Sequence, residues 1–131
     1  MGSDPLAGIW YSTVGSKLEL KIQDSVLTGS FESTENSEGK FEIHGTVDPD
    51  PEMPDRALSF SVCWIDGRSK SKYRSVSSYT GQFHRTDSDA IIETTFLLVD
   101  ATSINKQFVS TFIGYDNFYR EQPQSDKVRK R

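Results

Sequence analysis

The chain is a series of short runs in which apolar and polar residues alternate, broken by turn residues at a spacing of roughly 8–12 residues. No stretch of useful length carries a helical period. Eight runs read as strands: Gly8–Thr13, Leu18–Gln23, Leu27–Ser33, Lys40–Val47, Ala57–Ile65, Arg74–His84, Ala90–Val99 and Phe108–Tyr119. The connections Val14-Gly15-Ser16, Asp24-Ser25 and Thr86-Asp87-Ser88-Asp89 are short enough for hairpins. An unbroken train of hairpins gives an antiparallel meander, and eight such strands can close on themselves and remove their exposed edges. The expected fold is therefore all-β, an eight-stranded antiparallel up-and-down β-barrel over residues 6–120. Asp48–Asp55, DPDPEMPD, reads as a loop, because proline at that density cannot hold a strand ladder. The opening Met-Gly-Ser-Asp-Pro reads as an expression scar, disordered over residues 1–5, and residues 121–131 as a flexible polar tail.

Composition excludes several function classes. At 131 residues the chain forms one domain, and its net charge of −4 gives a nucleic-acid partner no overall support. The charge is unevenly placed: Glu32 to Asp55 is acidic, whereas Arg68, Lys70, Lys72 and Arg74 cluster soon after, and each reads as a solvated loop. The single cysteine, Cys63, forms no intrachain disulfide; in an apolar strand it reads as a buried, inert thiol. His44, His84 and Cys63 are too scattered to suggest a zinc site, and no apolar run is long enough to cross a membrane as a helix. No nucleophile–base–orienter set and no glycine-rich phosphate loop is visible, so an enzyme is not expected. No catalytic residue, metal or cofactor is assigned.

One strand carries an unusual residue. Phe108–Phe118, FVSTFIGYDNF, is apolar on both faces, which suggests a strand packed between two layers, yet it holds Asp116. Parity puts Phe108, Ser110, Phe112, Gly114, Asp116 and Phe118 on one face, and Val109, Thr111, Ile113, Tyr115 and Asn117 on the other. A carboxylate among apolar groups needs hydrogen-bond donors, from the protein or from a ligand. The sixth strand alternates similarly, with Ser75, Ser77, Tyr79, Gly81 and Phe83 on one face. Small hydroxyls beside aromatics suit a cavity with oriented polar groups rather than a filled barrel, although parity alone also allows Ser75 and Ser77 to face solvent.

Six phrases in order carry a resemblance: GIWYSTVGS (Gly8–Ser16), LTGSFES (Leu27–Ser33), FSVCW (Phe60–Trp64), SVSSYTGQF (Ser75–Phe83), IETTFLL (Ile92–Leu98) and STFIGYDNF (Ser110–Phe118). Together they resemble the avidin and streptavidin family of biotin-binding barrels, with a slightly longer segment between Trp64 and Tyr79. The resemblance implies a secreted barrel that holds biotin non-catalytically at one open end and assembles as a homo-oligomer, a tetramer ahead of a dimer. By that resemblance Asp116 and Ser33 accept the two ureido N–H groups, and Ser16 donates to the ureido oxygen. Ser77 sits beside the thiophene sulfur, Ser75 holds the valerate carboxylate, Trp64 walls the ring and Leu98 adds an apolar contact. Val14 falls among the same ligand-binding positions.

The departures from the family pattern concern the same site. Ser12 stands where the family commonly has asparagine, and Phe31 where it has a tyrosine that donates to the ureido oxygen; phenylalanine cannot donate. Tyr79 and Phe96 replace wall tryptophans, and Phe108 replaces the tryptophan that a neighbouring subunit lends as a lid. The expectation is biotin binding weaker than that of the tightest family members. Two other readings stay open: an avidin-like or lipocalin-like barrel for another small apolar ligand, and a protein-binding or protease-inhibiting barrel. Outward-facing Val109, Thr111, Ile113 and Tyr115 suit a subunit interface.

Overall fold

The structure, a computed structural model, describes residues 3–33, 39–65, 74–103 and 110–122. Eight strands appear in it: β1 (Gly8–Ser12), β2 (Lys17–Gln23), β3 (Val26–Glu32), β4 (Lys40–Val47), β5 (Asp55–Cys63), β6 (Ser75–Arg85), β7 (Ala90–Asp100) and β8 (Thr111–Tyr119). Each pairs antiparallel with the next, and β1 returns to β8 through Tyr11↔Tyr119 and Ser12↔Phe118, which closes the barrel. Boundaries differ from expectation where turn chemistry competes with alternation. β5 starts at Asp55, inside the expected loop, and stops at Cys63; β6 runs on to Arg85. Phe108 and Val109, expected to begin the last strand, lie outside the described residues, as do Arg68, Lys70, Lys72 and the tail from residue 123.

Alternation decides what fills the interior. Leu18, Leu20, Leu27, Phe31, Phe41, Ile43, Leu58, Phe60, Val62, Tyr79, Phe83, Ile92 and Phe118 are buried, while their sequence neighbours point outward. Cys63 is exposed, contrary to expectation. Apolar neighbours in the sequence suggested burial, but Val62 takes the inward position and a strand cannot turn two successive side chains inward.

The barrel is shut at one end. Leu6 and Trp10 are fully buried there, the Trp10 indole N–H donates to the Leu6 carbonyl at 2.9 Å, and its ring meets Phe83 edge-on. Arg56, also fully buried, donates to both Asp4 carboxylate oxygens, at 2.6 and 2.9 Å, and to the Asp48 carbonyl. The Arg120 guanidinium lies 4.0 Å from the centre of the Trp10 ring and donates to the carbonyls of Ala7 and Ile9. The disorder expected over residues 1–5 is thus corrected for the described part: Asp4 is tied down because it neutralises a buried guanidinium.

The outer face of the last strands behaves differently. β8 does not lie between two layers within this chain: Ile113 and Tyr115 are 70% and 80% exposed, and Leu97, Val99 and Val76 beside them are exposed as well. Register puts Ser61, Ser78, Leu97 and Ile113 in one row and Ser59, Thr80, Thr95 and Tyr115 in the next. The result is a four-stranded outer patch of small hydroxyls and apolar side chains.

Candidate functional site

The opposite end is formed where β1, β3, β5 and β7 finish and β2, β4, β6 and β8 begin. The β1–β2 turn contributes two hydroxyls. Ser12 N–H donates to the Ser16 carbonyl (2.8 Å), Gly15 N–H to the Ser12 carbonyl (2.9 Å), and Ser16 N–H to Ser12 Oγ (3.0 Å). Ser12 and Ser16 are both buried as a result. Accepting at Ser12 Oγ uses a lone pair and not the hydroxyl proton, which stays available to a ligand acceptor. Val14, expected among the ligand-binding residues, is exposed at the tip of this turn. Ser33 is half-buried one residue beyond β3.

Aromatic rings form the wall. Phe31 meets Trp64 edge-on at 5.3 Å between centres, stacks near Tyr79 at 5.9 Å and meets Phe118 edge-on at 6.2 Å. Tyr79 stacks on Phe60 at 4.8 Å and tilts against Phe96 at 5.1 Å. Phe41, a wall residue that the sequence reasoning missed, lies 5.1 Å from Trp64. Its inward alternation with Ile43 was the available signal. Trp64 is held twice: its backbone N–H donates to the Ser75 carbonyl at 2.9 Å and its indole N–H to Ser77 Oγ at 2.7 Å. Ser75 and Ser77 are 7% and 1% exposed, so parity's open choice between interior and solvent resolves to the interior.

β7 and β8 supply the remaining side. Phe96 pairs with Gly114, and a Cβ added at Gly114 would stand 2.5 Å from the Phe96 ring, so the glycine is what lets that ring lie flat on β8. Leu98 pairs with Ser77 on one side and with Phe112 on the other. Phe112 is 57% exposed although it shares Asp116's face, because it sits at the mouth. Asp116 pairs with Thr94, whose hydroxyl donates to the Asp116 carbonyl at 2.7 Å. Burial pushes the Asp116 carboxyl from the usual 3.8 up to about 6, and a hydrogen bond from the Asn117 backbone N–H offsets this only in part. The Tyr79 hydroxyl is pushed well above its usual value, first by burial and then by the charge of Asp116. Among the described residues, the donors that reach this acid are too few to offset its burial.

A second acid stands at the mouth. Asp100 Oδ1 accepts from the Ser75 hydroxyl at 3.0 Å and from the Arg74 backbone N–H at 2.9 Å. Sequence reasoning missed Asp100, although it continues the inward row Ile92, Thr94, Phe96 and Leu98 of β7. Of the expected site residues, Ser12, Ser16, Phe31, Trp64, Ser75, Ser77, Tyr79, Phe96, Leu98 and Asp116 line one end; Phe108 lies outside the described residues.

Comparison with known proteins gives a family match that spans both ends. The sequence model of the avidin family matches residues 3–121, from the segment that plugs the closed end to the residue after Arg120. All eight strands and every expected site residue fall inside that span. The chain belongs to the avidin family.

Proposed function

We propose that the protein binds biotin, without catalysis, in the open end of its barrel. Members of the avidin family bind biotin and commonly form oligomers. The observation that carries the reading is Asp116, a carboxylate under-supplied with donors at the base of an aromatic-walled opening. A cyclic urea offers two N–H donors and one strong acceptor. Asp116 and Ser33 are its acceptors in this reading, and a charged acceptor makes the stronger bond. The hydroxyls of Ser12 and Ser16 serve the ureido oxygen. The rings of Phe31, Trp64, Tyr79 and Phe96 bury the apolar bicycle.

The affinity expected is below that of the family's tightest members. Phe31 has no hydroxyl to donate, and each polar contact so lost costs about 1–3 kcal/mol when it leaves a ligand group unpaired. A biotin titration following Trp64 fluorescence and heat tests the reading. Saturable binding is expected, and Asp116→Ala should weaken it by about 1.5–3 kcal/mol. No heat and no quenching at high micromolar biotin would overturn the reading. Phe31 also supports a second one, a different small apolar ligand, since its buried ring takes space against Trp64, Tyr79 and Phe118. Binding of apolar dyes that biotin fails to displace would favour it.

The protein further acts as a homo-oligomer through the outer patch of β5 to β8, tetramer ahead of dimer. Support comes from its exposed Ile113, Tyr115, Leu97 and Val99. Light scattering should give a multiple of the chain mass, and Ile113→Lys should shift the population toward monomer; a monomeric parent protein would refute this.

A further inference from the structure

The hydrogen bond between Ser75 and Asp100 sets a condition on whatever meets the mouth. Ser75 carries one hydroxyl proton, and that proton is directed at Asp100 Oδ1, 3.0 Å away. Asp100 is in turn fixed by the Arg74 backbone N–H on the same oxygen at 2.9 Å, and its own backbone N–H donates to the Ser110 carbonyl at 2.8 Å. Ser75 is buried, so its hydroxyl has little access to water as an alternative partner. In this arrangement Ser75 Oγ presents lone pairs, not a proton, to the cavity.

We propose that the site selects ligands whose tail is a neutral amide over ligands whose tail is a free carboxylate, that is, amide-linked biotin over biotin. The inference rests on the biotin reading above, together with the position of Ser75 at the mouth, where the family resemblance sets the ligand's tail. A carboxylate only accepts hydrogen bonds, so it gains one from Ser75 only if Ser75 gives up Asp100. Asp100 would then lose a donor while a second negative charge arrives beside it, and like charges set close together oppose binding. An amide N–H, by contrast, donates to the Ser75 lone pair without disturbing Asp100, and brings no charge. Asp100 is thereby a specificity-determining residue. The same amide chemistry is offered by a small biotin amide and by biotin joined to a lysine side chain of a peptide.

The test compares three probes on the intact protein: biotin, biotin amide and a peptide carrying a biotinyl-lysine. The amide and the peptide should both bind at least roughly tenfold more tightly than biotin at low salt. Added salt should narrow that gap by screening the charge pair. Asp100→Asn retains an oxygen that accepts from Ser75 and Arg74 but removes the charge, so it should narrow the gap further; thermal unfolding verifies that this variant is folded. Biotin binding as tightly as the amide to the unaltered protein would overturn the proposal without touching the biotin reading. An unchanged ratio in folded Asp100→Asn would overturn the role of Asp100. Tight binding of the peptide alone would show that peptide contacts, not the uncharged tail, make the difference. Failure of all three probes to bind would bring down the biotin reading itself.

Discussion

The two ends of the barrel each place an acid among aromatic and apolar side chains, and the two acids respond in opposite directions. At the closed end, burial would raise Asp4, but the Arg56 hydrogen bonds, the Leu6 N–H and the guanidinium charge outweigh it and hold the carboxyl below its usual value. At the open end, Asp116 has the Asn117 N–H against the same desolvation, and its carboxyl rises to about 6. The closed end is complete within the chain. Among the described residues the open end leaves acceptor capacity at Asp116 unused, which suits the proposed site for a ligand that brings donors.

Breaking the closed end should have the largest effect. Asp4→Ala leaves the buried Arg56 guanidinium without its counter-ion, which should cost about 3–5 kcal/mol of folding stability. Denaturant unfolding checks this, and biotin affinity should change far less. A small loss of stability would remove the distinction drawn between a finished end and an open one.

Proton linkage sharpens the comparison. Asp4, depressed in the folded state, adds stability above the ordinary carboxylate range and loses it as pH falls through the folded value. Asp116, raised in the folded state, does the reverse: its contribution to the ligand-free protein declines as pH rises from 3.8 toward about 6. Biotin accepted by the ionised carboxylate should therefore bind less tightly below about pH 6, losing up to roughly tenfold per pH unit. Asp116→Asn should flatten that profile and reduce the pH dependence of ligand-free unfolding between about pH 4 and 6. A profile equally steep in the variant would assign the titration to another group.

The smallest expected change concerns the oxygen-binding side. Phe31→Tyr adds a hydroxyl to a ring already packed against Trp64 and Tyr79, and should strengthen biotin binding by about 0.5–1.5 kcal/mol, chiefly by slowing dissociation. Surface plasmon resonance resolves the two rates. An unchanged or faster off-rate would mean that this side of the site is already satisfied by Ser12 and Ser16.

Much of this was legible in the chain, for identifiable reasons. Strand number and antiparallel order followed from hairpin-length turns between alternating runs. The shared faces of Tyr79 and Asp116 with their strand neighbours followed from parity, whereas Phe31 was reached only through the family resemblance. Cys63 was misread because its apolar neighbours were weighed above the alternation of its own strand, which turns Val62 inward and Cys63 outward. Asp4 was misread because its partner, Arg56, is 52 positions away and no local pattern joins them. Asp100 was missed for the same reason: Ser75 lies 25 positions earlier, and only the β6–β7 register brings them together.

The sequence by itself determined the period, and with it the strands, their order and the two faces of each, because side-chain alternation is a local property of the extended backbone. Only the closed barrel decided which inward acid is satisfied and which is left waiting, and where the proton of Ser75 points. Those outcomes depend on which donors closure brings within about 3 Å of each carboxylate, and hydrogen bonds of that reach join residues that alternation cannot relate.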